Sequence, residues 1–454
     1  MDVDTSIFKA YDIRGIYPEQ LNEETAYGIG AAFSRLLQKE NPGKQLQIIV
    51  SQDMRLSSPG LAEKVKKGVT DSGIDVVDAG LTSTPTFYFA VAFYGYDGGI
   101  QVSASHNPPK YNGMKMVRKR GVPISGENGI NEIRDMVVAN KFSKAEIPGK
   151  ITEKQGILTD LVNEQLKGFD FGKIKNLKIV VDVANAMGTL DAEAIFEKLP
   201  CELVKLNFGL DGTFPVHEPD PLKEENLQML GKAVVENKAD LGIGIDGDAD
   251  RYFFLDEKGE IIRQEILRGI MAQIELAEHP GATVCYDIRP GRITKDMIEA
   301  VGGKAVVTRV GHSLIKEKML EIDAIFGGES SGHYFYKFPF GTFEAPAVLT
   351  TKFLEFVSKQ NKPVSEIIKP YKKYFHSGEI NSDVADKEAK MEEIAKKYAD
   401  GNISHLDGVT VEYPDFWFNV RPSNTESKLR LNLEARSAEL MEQKRDEVLG
   451  LIRG

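Results

Sequence analysis

The chain has 454 residues, enough for about three domains at roughly 150 residues each. Its composition, 41% hydrophobic and 28% charged, is typical of a soluble globular protein and excludes a disordered or fibrous chain. A formal net charge of -11 leaves no basic face for a nucleic acid, so an anionic substrate must be met by a few local Lys and Arg residues.

The cysteines and the N-terminal residues indicate the cellular compartment of the protein. Cys201 and Cys285 stand far apart and lack metal-ligand spacing, which favours a reducing compartment over a disulfide framework. The opening MDVDTSIFKAYDIRG is acidic where a signal peptide is basic and apolar, and no run is long enough to span a bilayer. We therefore expect a cytoplasmic protein with neither a membrane nor a nucleic acid as partner.

One pattern recurs along the chain: a short β-branched run ends in a Gly- or Ser-rich loop and is followed by a helix-length amphipathic stretch. This alternation predicts α/β domains with mixed, mostly parallel sheets. Nine runs in three groups are expected to be strands: 46–50, 74–79 and 98–103; 177–183, 202–206 and 239–245; 282–288, 304–308 and 323–326. The repetition predicts three similar α/β domains in succession.

The last stretch of the chain has a different pattern. VTVEY, WFNVR and KLRLNLEAR are closely spaced and precede a helix-like segment at 437–453, which predicts an antiparallel sheet with helices on one face. We predict α/β domains at 1–150, 151–256 and 257–370, and an α+β domain at 371–454. Ligand loops of such sheets lie beyond the carboxyl ends of the strands, so the four domains are expected to surround one central cleft.

In the stretch QVSASHNPPKYNG at 101–113, Ser105 immediately precedes His106 in a predicted loop. A serine beside a histidine suggests a nucleophile and its general base. Neighbouring residues in an extended loop point in opposite directions, however, and a base must lie within hydrogen-bond reach of the hydroxyl. We therefore expect that His106 does not activate Ser105.

The stretch GIDGDADRYFFLD predicts a metal site. Asp246, Asp248 and Asp250 alternate with small residues, so an extended loop would place the three carboxylates on one side. Their mutual repulsion favours a hard divalent cation, and oxygen-only ligands in a compact arrangement favour Mg²⁺. Arg251 occupies the position where a calcium-binding EF-hand loop needs glycine, which argues against that motif. The alternative is a solvated acidic turn.

Four motifs follow one another over essentially the whole chain: SASHNPPKYNGMK, GIDGDADR, GGESSGH and RPSNTE. In this order and at these intervals they resemble the active-site motifs of the α-D-phosphohexomutase superfamily, most closely its phosphomannomutase/phosphoglucomutase branch. KAYDIRG near the start and VGHS in the third predicted domain are further markers of the resemblance.

The resemblance implies that Ser105 is a phosphoserine. Its phosphate would complete the coordination of Mg²⁺ by Asp246, Asp248 and Asp250, so Ser105 counts among the expected metal ligands. The implied reaction is reversible transfer of a phosphoryl group between the 1- and 6-positions of mannose or glucose phosphate, with hexose 1,6-bisphosphate as intermediate and activator. His106 would then order the loop or, alternatively, transfer a proton.

Two further motifs match substrate-binding positions of the family. In GGESSGH, Glu329 and Ser331 match positions that bind adjacent ring hydroxyls, since a carboxylate accepts from two hydroxyls whichever way round the sugar lies. RPSNTE would bind the phosphate that is not transferred, through Arg421, Ser423, Asn424 and Thr425. The structural alternatives are a glycine turn for the first motif and a plain hairpin turn for the second.

Proton transfer requires a group of tunable pKa near the phosphoryl group. Lys115 of NGMK and His312 of VGHS match positions that the family associates with this role, with Arg14 and Arg251 as electrostatic partners and Arg251 also as a substrate-binding group. Crowding by two arginines would lower the pKa of Lys115. Lys115 is alternatively a simple cation for the phosphate.

Three alternative functions share part of this pattern. A phosphoglucosamine mutase would share most of the motifs. A metal-dependent phosphatase is expected to have clustered histidine ligands, whereas the 7 histidines here are scattered. A phosphosugar-binding protein without catalysis needs neither Ser105 nor three aspartates. The expected partner is a small sugar phosphate, and the expected assembly is a monomer or a weak homodimer.

Overall fold

The computed structural model describes residues 3–423 and 428–454. The chain divides into two compact units. The first unit is Met1–Ile262 with Ser331–Ser365, and the second unit is Arg263–Ser330 with Glu366–Gly454. None of the helices in the described ranges combines the length and apolarity needed to cross a bilayer.

The first unit begins with a seven-stranded sheet. Its strands are β1 (Ile13–Ile16), β2 (Gln47–Gln52), β3 (Asp75–Leu81), β4 (Gly98–Val102), β5 (Tyr111–Arg118), β6 (Val122–Pro123) and β7 (Ile151–Glu153). The order is β1-β5-β4-β2-β3-β7, with β6 beside β5. The strands from β4 to β7 in this order run parallel, and β5 pairs antiparallel with both β4 and β1.

Four helices accompany this sheet: α1 (Glu23–Glu40), α2 (Ser58–Asp71), α3 (Thr84–Phe93) and α4 (Asn131–Ala139). They flank β-branched strands such as β2, whose Ile48, Ile49 and Val50 are fully buried, as in a sheet covered on both faces. Helix α3 differs from a surface helix because every residue from Thr84 to Ala92 is buried. Its amino end lies in the TSTPT loop after β3.

A second sheet of the first unit holds β8 (Lys178–Asp182), β9 (Glu202–Leu206), β10 (Leu241–Ile245) and β11 (Tyr252–Leu255), in the order β11-β10-β8-β9. Helices α5 (Ile157–Gln165), α6 (Gly188–Phe196) and α7 (Glu224–Glu236) belong to the same region. Strands β10, β8 and β9 are parallel, whereas β10 and β11 form an antiparallel hairpin. The turn of this hairpin, residues 246–251, lies at the carboxyl end of parallel strand β10.

The second unit begins with α8 (Gln264–Glu278), β12 (Thr283–Asp287), α9 (Arg292–Ala300), β13 (Lys304–Thr308), α10 (His312–Glu321) and β14 (Phe326–Gly328). Strand β12 pairs in parallel with both β13 and β14. The chain then returns to the first unit, where β15 (Tyr334–Phe338) and β16 (Gly341–Glu344) form an antiparallel hairpin. Two helices follow, α11 (Pro346–Gln360) and α12 (Val364–Ile368).

The remainder of the second unit is an antiparallel sheet in the order β17-β21-β20-β19-β18. Its strands are β17 (Phe375–Asp383), β18 (Asn402–Ser404), β19 (Val409–Glu412), β20 (Phe416–Pro422) and β21 (Lys428–Ala435), with helices α13 (Lys387–Lys397) and α14 (Ala438–Arg453). The predicted fold class, three α/β regions and a C-terminal α+β region, is confirmed. The domain boundaries and the enclosure of one cleft stay predictions.

Candidate active site

Ser105 lies three residues beyond the end of β4 and is buried. Its backbone has a left-handed φ of 49°, and its N–H donates to Ser103 Oγ at 3.0 Å. Its hydroxyl donates to Asp246 Oδ2 at 3.0 Å. The loop after β4 and the turn between β10 and β11 therefore meet at the serine hydroxyl.

Ser105 and His106 contact each other, and the expectation that they point apart is wrong. Ser105 Oγ lies 3.2 Å from His106 Nδ1. The expectation assumed an extended loop, whereas the left-handed backbone at Ser105 brings successive side chains to the same side. Burial, with Arg251 and Arg14 nearby, lowers the pKa of His106 well below its ordinary value. The ring beside the serine is therefore neutral at pH 7.

Arg55, which follows β2, holds the serine loop in place. Its buried guanidinium donates from Nη2 to the carbonyls of Ser105 at 2.7 Å and Asn107 at 2.6 Å, and from Nη1 to two further carbonyls of the loop. Nε donates to Asp53 at 3.2 Å, which balances the buried charge. Sequence reasoning missed Arg55, whose only signal is its place in QDMR directly after a predicted strand.

Replacing Arg55 by lysine should destabilise the first unit. Lysine keeps the positive charge but lacks the forked guanidinium group, so several carbonyls of the serine loop lose their hydrogen-bond donor. We expect the free energy of unfolding to fall by about 1–3 kcal/mol, measured by urea denaturation followed by circular dichroism. Arg134→Lys is the matched control, because Arg134 pairs with its exposed neighbour Asp135. Equal unfolding curves for the two variants would contradict this role of Arg55.

The turn between β10 and β11 brings Asp246, Asp248 and Asp250 together. All three are buried, and one oxygen from each lies within 4.8 Å of the others. The convergence was predicted correctly, but the extended loop was not. The amides of Asp250 and Arg251 donate to Asp246 Oδ1 at 3.1 and 3.2 Å, and Ala249 has a φ of 63°. The turn therefore folds around the Asp246 carboxylate.

The donor set of this turn fits a hard divalent cation. Asp248 Oδ1 and Asp250 Oδ1 are buried and accept no hydrogen bond from the described residues. Burial, together with Asp250 and Asp248, raises the pKa of Asp246 well above its ordinary value. Converging buried carboxylate oxygens without donors are costly unless a cation binds them, and oxygen ligands suit Mg²⁺. The solvated acidic turn is excluded by the burial of all three side chains.

Lys115 on β5 lies between two of these carboxylates. Its Nζ donates to Asp248 Oδ2 and to Asp250 Oδ2, both at 2.6 Å. Burial opposes its charge, but the two carboxylates outweigh burial and raise the pKa of Lys115 well above its ordinary value. The expected lowering of this pKa is therefore wrong, because the nearest charges are acidic rather than the arginines. These contacts suit the alternative role of Lys115 as a cation.

Arg14 and Arg251 are the two arginines that sequence reasoning assigned to this cluster. Arg14, on β1, donates from Nη1 to Asn107 Oδ1 at 2.6 Å and so contacts the serine loop. Arg251 Nε lies 3.8 Å from Asp246 Oδ2 and 3.9 Å from Asp250 Oδ1. Arg14 thus contacts the serine loop and Arg251 lies close to the metal turn, while their electrostatic role stays a prediction.

His333 is a site residue that sequence reasoning missed, although it ends the motif GGESSGH. Its Nε2 accepts from Arg251 Nε at 3.1 Å, so Nδ1 is the ring nitrogen that carries a hydrogen. Nδ1 lies 3.6 Å from Asp250 Oδ1 and 3.4 Å from Glu344 Oε1. The first unit therefore places a buried imidazole and a fourth carboxylate against the metal turn.

Glu329 follows β14 in the second unit and is held by a network of charges. Arg289 Nη2 contacts Glu329 Oε1 at 3.0 Å, and Arg289 Nε donates to Asp287 at the end of β12. Arg268 also pairs with Asp287 and donates to Ser330 Oγ at 3.0 Å. The loops after two neighbouring parallel strands are thereby fixed to each other.

Ser331, His312 and the RPSNTE motif complete the predicted residues. Ser331 belongs to the first unit, and its buried Oγ has no hydrogen-bond partner in the described part of the chain. His312 is the first residue of α10 in the second unit and is half-buried. Asn424 and Thr425 lie outside the described residues.

Arg421 and Ser423, also in the second unit, lie at the end of β20. The buried Arg421 donates to Glu379 on β17, and Arg430 shares that carboxylate at 3.2 Å. Arg430 also donates to Ser423 Oγ at 3.4 Å. Burial opposes the charge of Glu379, but Arg421 and its neighbours outweigh it and lower the pKa of this carboxyl. Glu379 therefore stays ionised and orients the Arg421 fork.

The first unit thus brings Ser105, Lys115, Arg14, Arg251 and the three aspartates into one cluster. Domain models of the phosphoglucomutase/phosphomannomutase family match nearly the whole chain in four stretches: α/β/α domain I at 5–144, domain II at 159–259, domain III at 265–374 and the C-terminal domain at 379–451. The chain belongs to this family.

Relatives of the family resemble the chain over its full length. It is 40% identical to the phosphomannomutase of Methanocaldococcus jannaschii, across 99% of this chain and 98% of that protein. It is 37% identical to the phosphomannomutase of Vibrio cholerae, across 98% of each. A crystal structure of a phosphoglucomutase/phosphomannomutase family protein from Burkholderia thailandensis superposes with a TM-score of 0.90 at 33% identity, covering 99% and 97% of the two chains.

This membership confirms the resemblance drawn from the four motifs. The serine motif falls within the range of family domain I, the aspartate motif within domain II, GGESSGH within domain III and RPSNTE within the C-terminal domain. The protein is therefore a phosphohexomutase, an isomerase that acts on hexose phosphates.

Proposed function

We propose that this phosphohexomutase moves a phosphoryl group reversibly between O1 and O6 of mannose or glucose phosphate. Phospho-Ser105 and hexose 1,6-bisphosphate are the proposed intermediates. The observation that carries the proposal is the hydrogen bond from Ser105 Oγ to Asp246 Oδ2, beside two carboxylates that each have an oxygen without a hydrogen-bond partner among the described residues. A buried serine beside a carboxylate cluster is suited to carry a phosphoryl group, because a cation bound by the carboxylates would neutralise the phosphoryl oxygens.

Each half of the reaction exchanges one P–O bond for another. In the first transfer the bond from phosphorus to Ser105 Oγ breaks as a bond to the free sugar hydroxyl forms. That hydroxyl loses its proton, and Ser105 Oγ gains one. The second transfer breaks the other P–O bond of the bisphosphate, returns that phosphoryl group to Ser105 and leaves the isomeric monophosphate. The sugar must therefore bind in two orientations.

Asp246, Asp248, Asp250 and phospho-Ser105 are the proposed ligands of Mg²⁺. When bound, the ion supplies charge neutralisation to the oxygens of the transferring phosphoryl group. Lys115 contributes a further positive charge, because its contacts hold it as an ammonium. Arg14 and Arg251 add two more cations around the serine loop and the metal turn.

Proton transfer is proposed for an imidazole rather than for Lys115. His312 keeps the role that the resemblance implies. The geometry adds two imidazole rings: His106, 3.2 Å from Ser105 Oγ, and His333, against Asp250. An imidazole has two ring nitrogens, of which one can accept a proton while the other donates one.

Substrate binding is proposed for residues of the GGESSGH and RPSNTE motifs. Glu329 and Ser331 would bind the ring hydroxyls, since a carboxylate accepts from two neighbouring hydroxyls in either orientation of the sugar. Arg421, held by Glu379, would bind the phosphate that is not transferred, together with Ser423, Asn424 and Thr425. We further propose a cytoplasmic monomer or weak homodimer.

Phosphorus NMR of the full-length protein tests this function. The protein is supplied with Mg²⁺, a trace of hexose 1,6-bisphosphate and, in separate samples, mannose, glucose or glucosamine 1-phosphate. We expect the 6-phosphate signal to grow with mannose or glucose 1-phosphate. Faster conversion of the glucosamine phosphate would indicate a phosphoglucosamine mutase instead, growth of inorganic phosphate a phosphatase, and unchanged spectra a binding protein.

A further inference from the structure

Thr84, the first residue of helix α3, is bonded to the metal turn at two points. Its N–H donates to the carbonyl of Asp248 at 2.9 Å, and its Oγ1 donates to Asp248 Oδ2. Thr84 is fully buried, so neither bond competes with water. Thr84 thus holds both the backbone and the carboxylate of Asp248, a proposed metal ligand.

The two oxygens of the Asp248 carboxylate have different environments. Oδ2 accepts from both Thr84 Oγ1 and Lys115 Nζ, whereas Oδ1 is buried and accepts from none of the described residues. A carboxylate with one oxygen held by two donors cannot rotate freely, so its other oxygen keeps a fixed direction. Hydrogen bonds of this kind to metal ligands tune metal affinity.

Helix α3 gives Thr84 a rigid support. Ser83 caps the helix by accepting from the amide of Thr86, and Pro85 occupies the first turn. The hydroxyls of Ser83 and Thr86 donate to Asp191 at 3.0 and 3.3 Å rather than to the metal turn. The same turn of one helix therefore offers a hydroxyl that contacts the metal turn and another that does not.

We propose that Thr84 is a positioning residue that selects Oδ1 of Asp248 as the metal-binding oxygen and thereby sets the affinity for the divalent cation. The proposal rests on the metal site of the proposed function. The effect is assigned to the hydroxyl of Thr84. Serine should therefore fulfil the role of threonine at this position. Valine, which has the shape of threonine but no hydroxyl, should not.

Titration with Mn²⁺, followed by the electron paramagnetic resonance signal of the free ion, tests this on the full-length protein. We expect Thr84→Val to weaken Mn²⁺ binding by about tenfold or more, and Thr84→Ser to restore most of the affinity. Thr86→Val is the matched control, since it removes a buried hydroxyl from the same helical turn. Its melting temperature should fall, but its Mn²⁺ affinity should stay that of the wild type.

Unchanged affinity in a folded Thr84→Val protein would overturn the proposal, as would an equal loss of affinity in Thr86→Val. If the valine variant does not fold, Thr84→Ala is measured in its place, because it also lacks the hydroxyl. A wild-type protein that binds no Mn²⁺ would overturn the metal site itself. That result is distinct from the first two, in which the wild type binds the ion.

Discussion

Replacing Ser105 by alanine is expected to lower kcat for the interconversion of hexose 1- and 6-phosphates by at least about 10³-fold. Alanine has no oxygen to which the phosphoryl group can be transferred, so both halves of the reaction lose their carrier. The loop itself should keep its structure, because Arg55 bonds the backbone carbonyl of residue 105 rather than its side chain. Turnover is followed by phosphorus NMR or by a coupled assay for the 6-phosphate.

Ser34→Ala provides the control for this substitution. Ser34 is also buried, but its hydroxyl donates to the carbonyl of Gly30 within α1. We expect this variant to lose some stability and to keep its turnover. Turnover of Ser105→Ala comparable with that of the wild type would show that the phosphoryl group does not pass through this serine.

Replacing Asp246 by asparagine is expected to abolish the stabilisation of the protein by Mg²⁺. A ligand at a hundred times its dissociation constant stabilises a fold by about 2.7 kcal/mol, so wild-type protein should melt at a higher temperature when Mg²⁺ is added. Asparagine removes one of three anionic ligands and the acceptor of the Ser105 hydroxyl. The melting temperature of the variant should therefore not respond to the ion.

The same substitution should leave the metal-free protein at least as stable as the wild type at pH 7. The pKa of Asp246 is raised in the fold, so its contribution to stability is present when it is protonated. That contribution is lost as pH rises above the ordinary carboxyl value of 3.8 towards the raised pKa. Asparagine carries no charge to bury and has no such pH dependence.

Scanning calorimetry with and without Mg²⁺ measures both effects, and the exposed Asp170→Asn serves as control. That control should behave like the wild type in both conditions. A full Mg²⁺ response in Asp246→Asn would contradict the assignment of Asp246 as a metal ligand. A metal-free variant that melts well below the wild type would contradict the inferred cost of burying its charge.

The parallel strands could be predicted from sequence because each is formed by a local run of β-branched residues. Two of them, β9 at 202–206 and β13 at 304–308, coincide with the predicted runs. The run at 323–326 is displaced, since β14 is Phe326–Gly328 and includes two glycines that argue against a strand. Strand β5 gave little local signal, because its pairing with β1 joins Met114 to Ile13, far apart in sequence.

The site was predictable where one short segment carries the chemistry. Ser105 and the three aspartates lie in single loops of unusual composition, and the structure joins them. Contacts between distant segments could not be foreseen, such as those of Arg55 with the serine loop and of His333 with Arg251. The pKa of Lys115 was predicted in the wrong direction for the same reason: its nearest charges come from a segment 133 residues away.

The role of Ser105 as phosphoryl carrier is tested most directly by locating the transferred phosphoryl group. The full-length protein is incubated with hexose 1,6-bisphosphate and Mg²⁺, digested and analysed by mass spectrometry, with and without a chase of hexose 6-phosphate. We expect one phosphate, on Ser105, that disappears in the chase as bisphosphate is formed. A protein that turns over substrate without phosphate on Ser105, or with phosphate there that the chase does not remove, would contradict it.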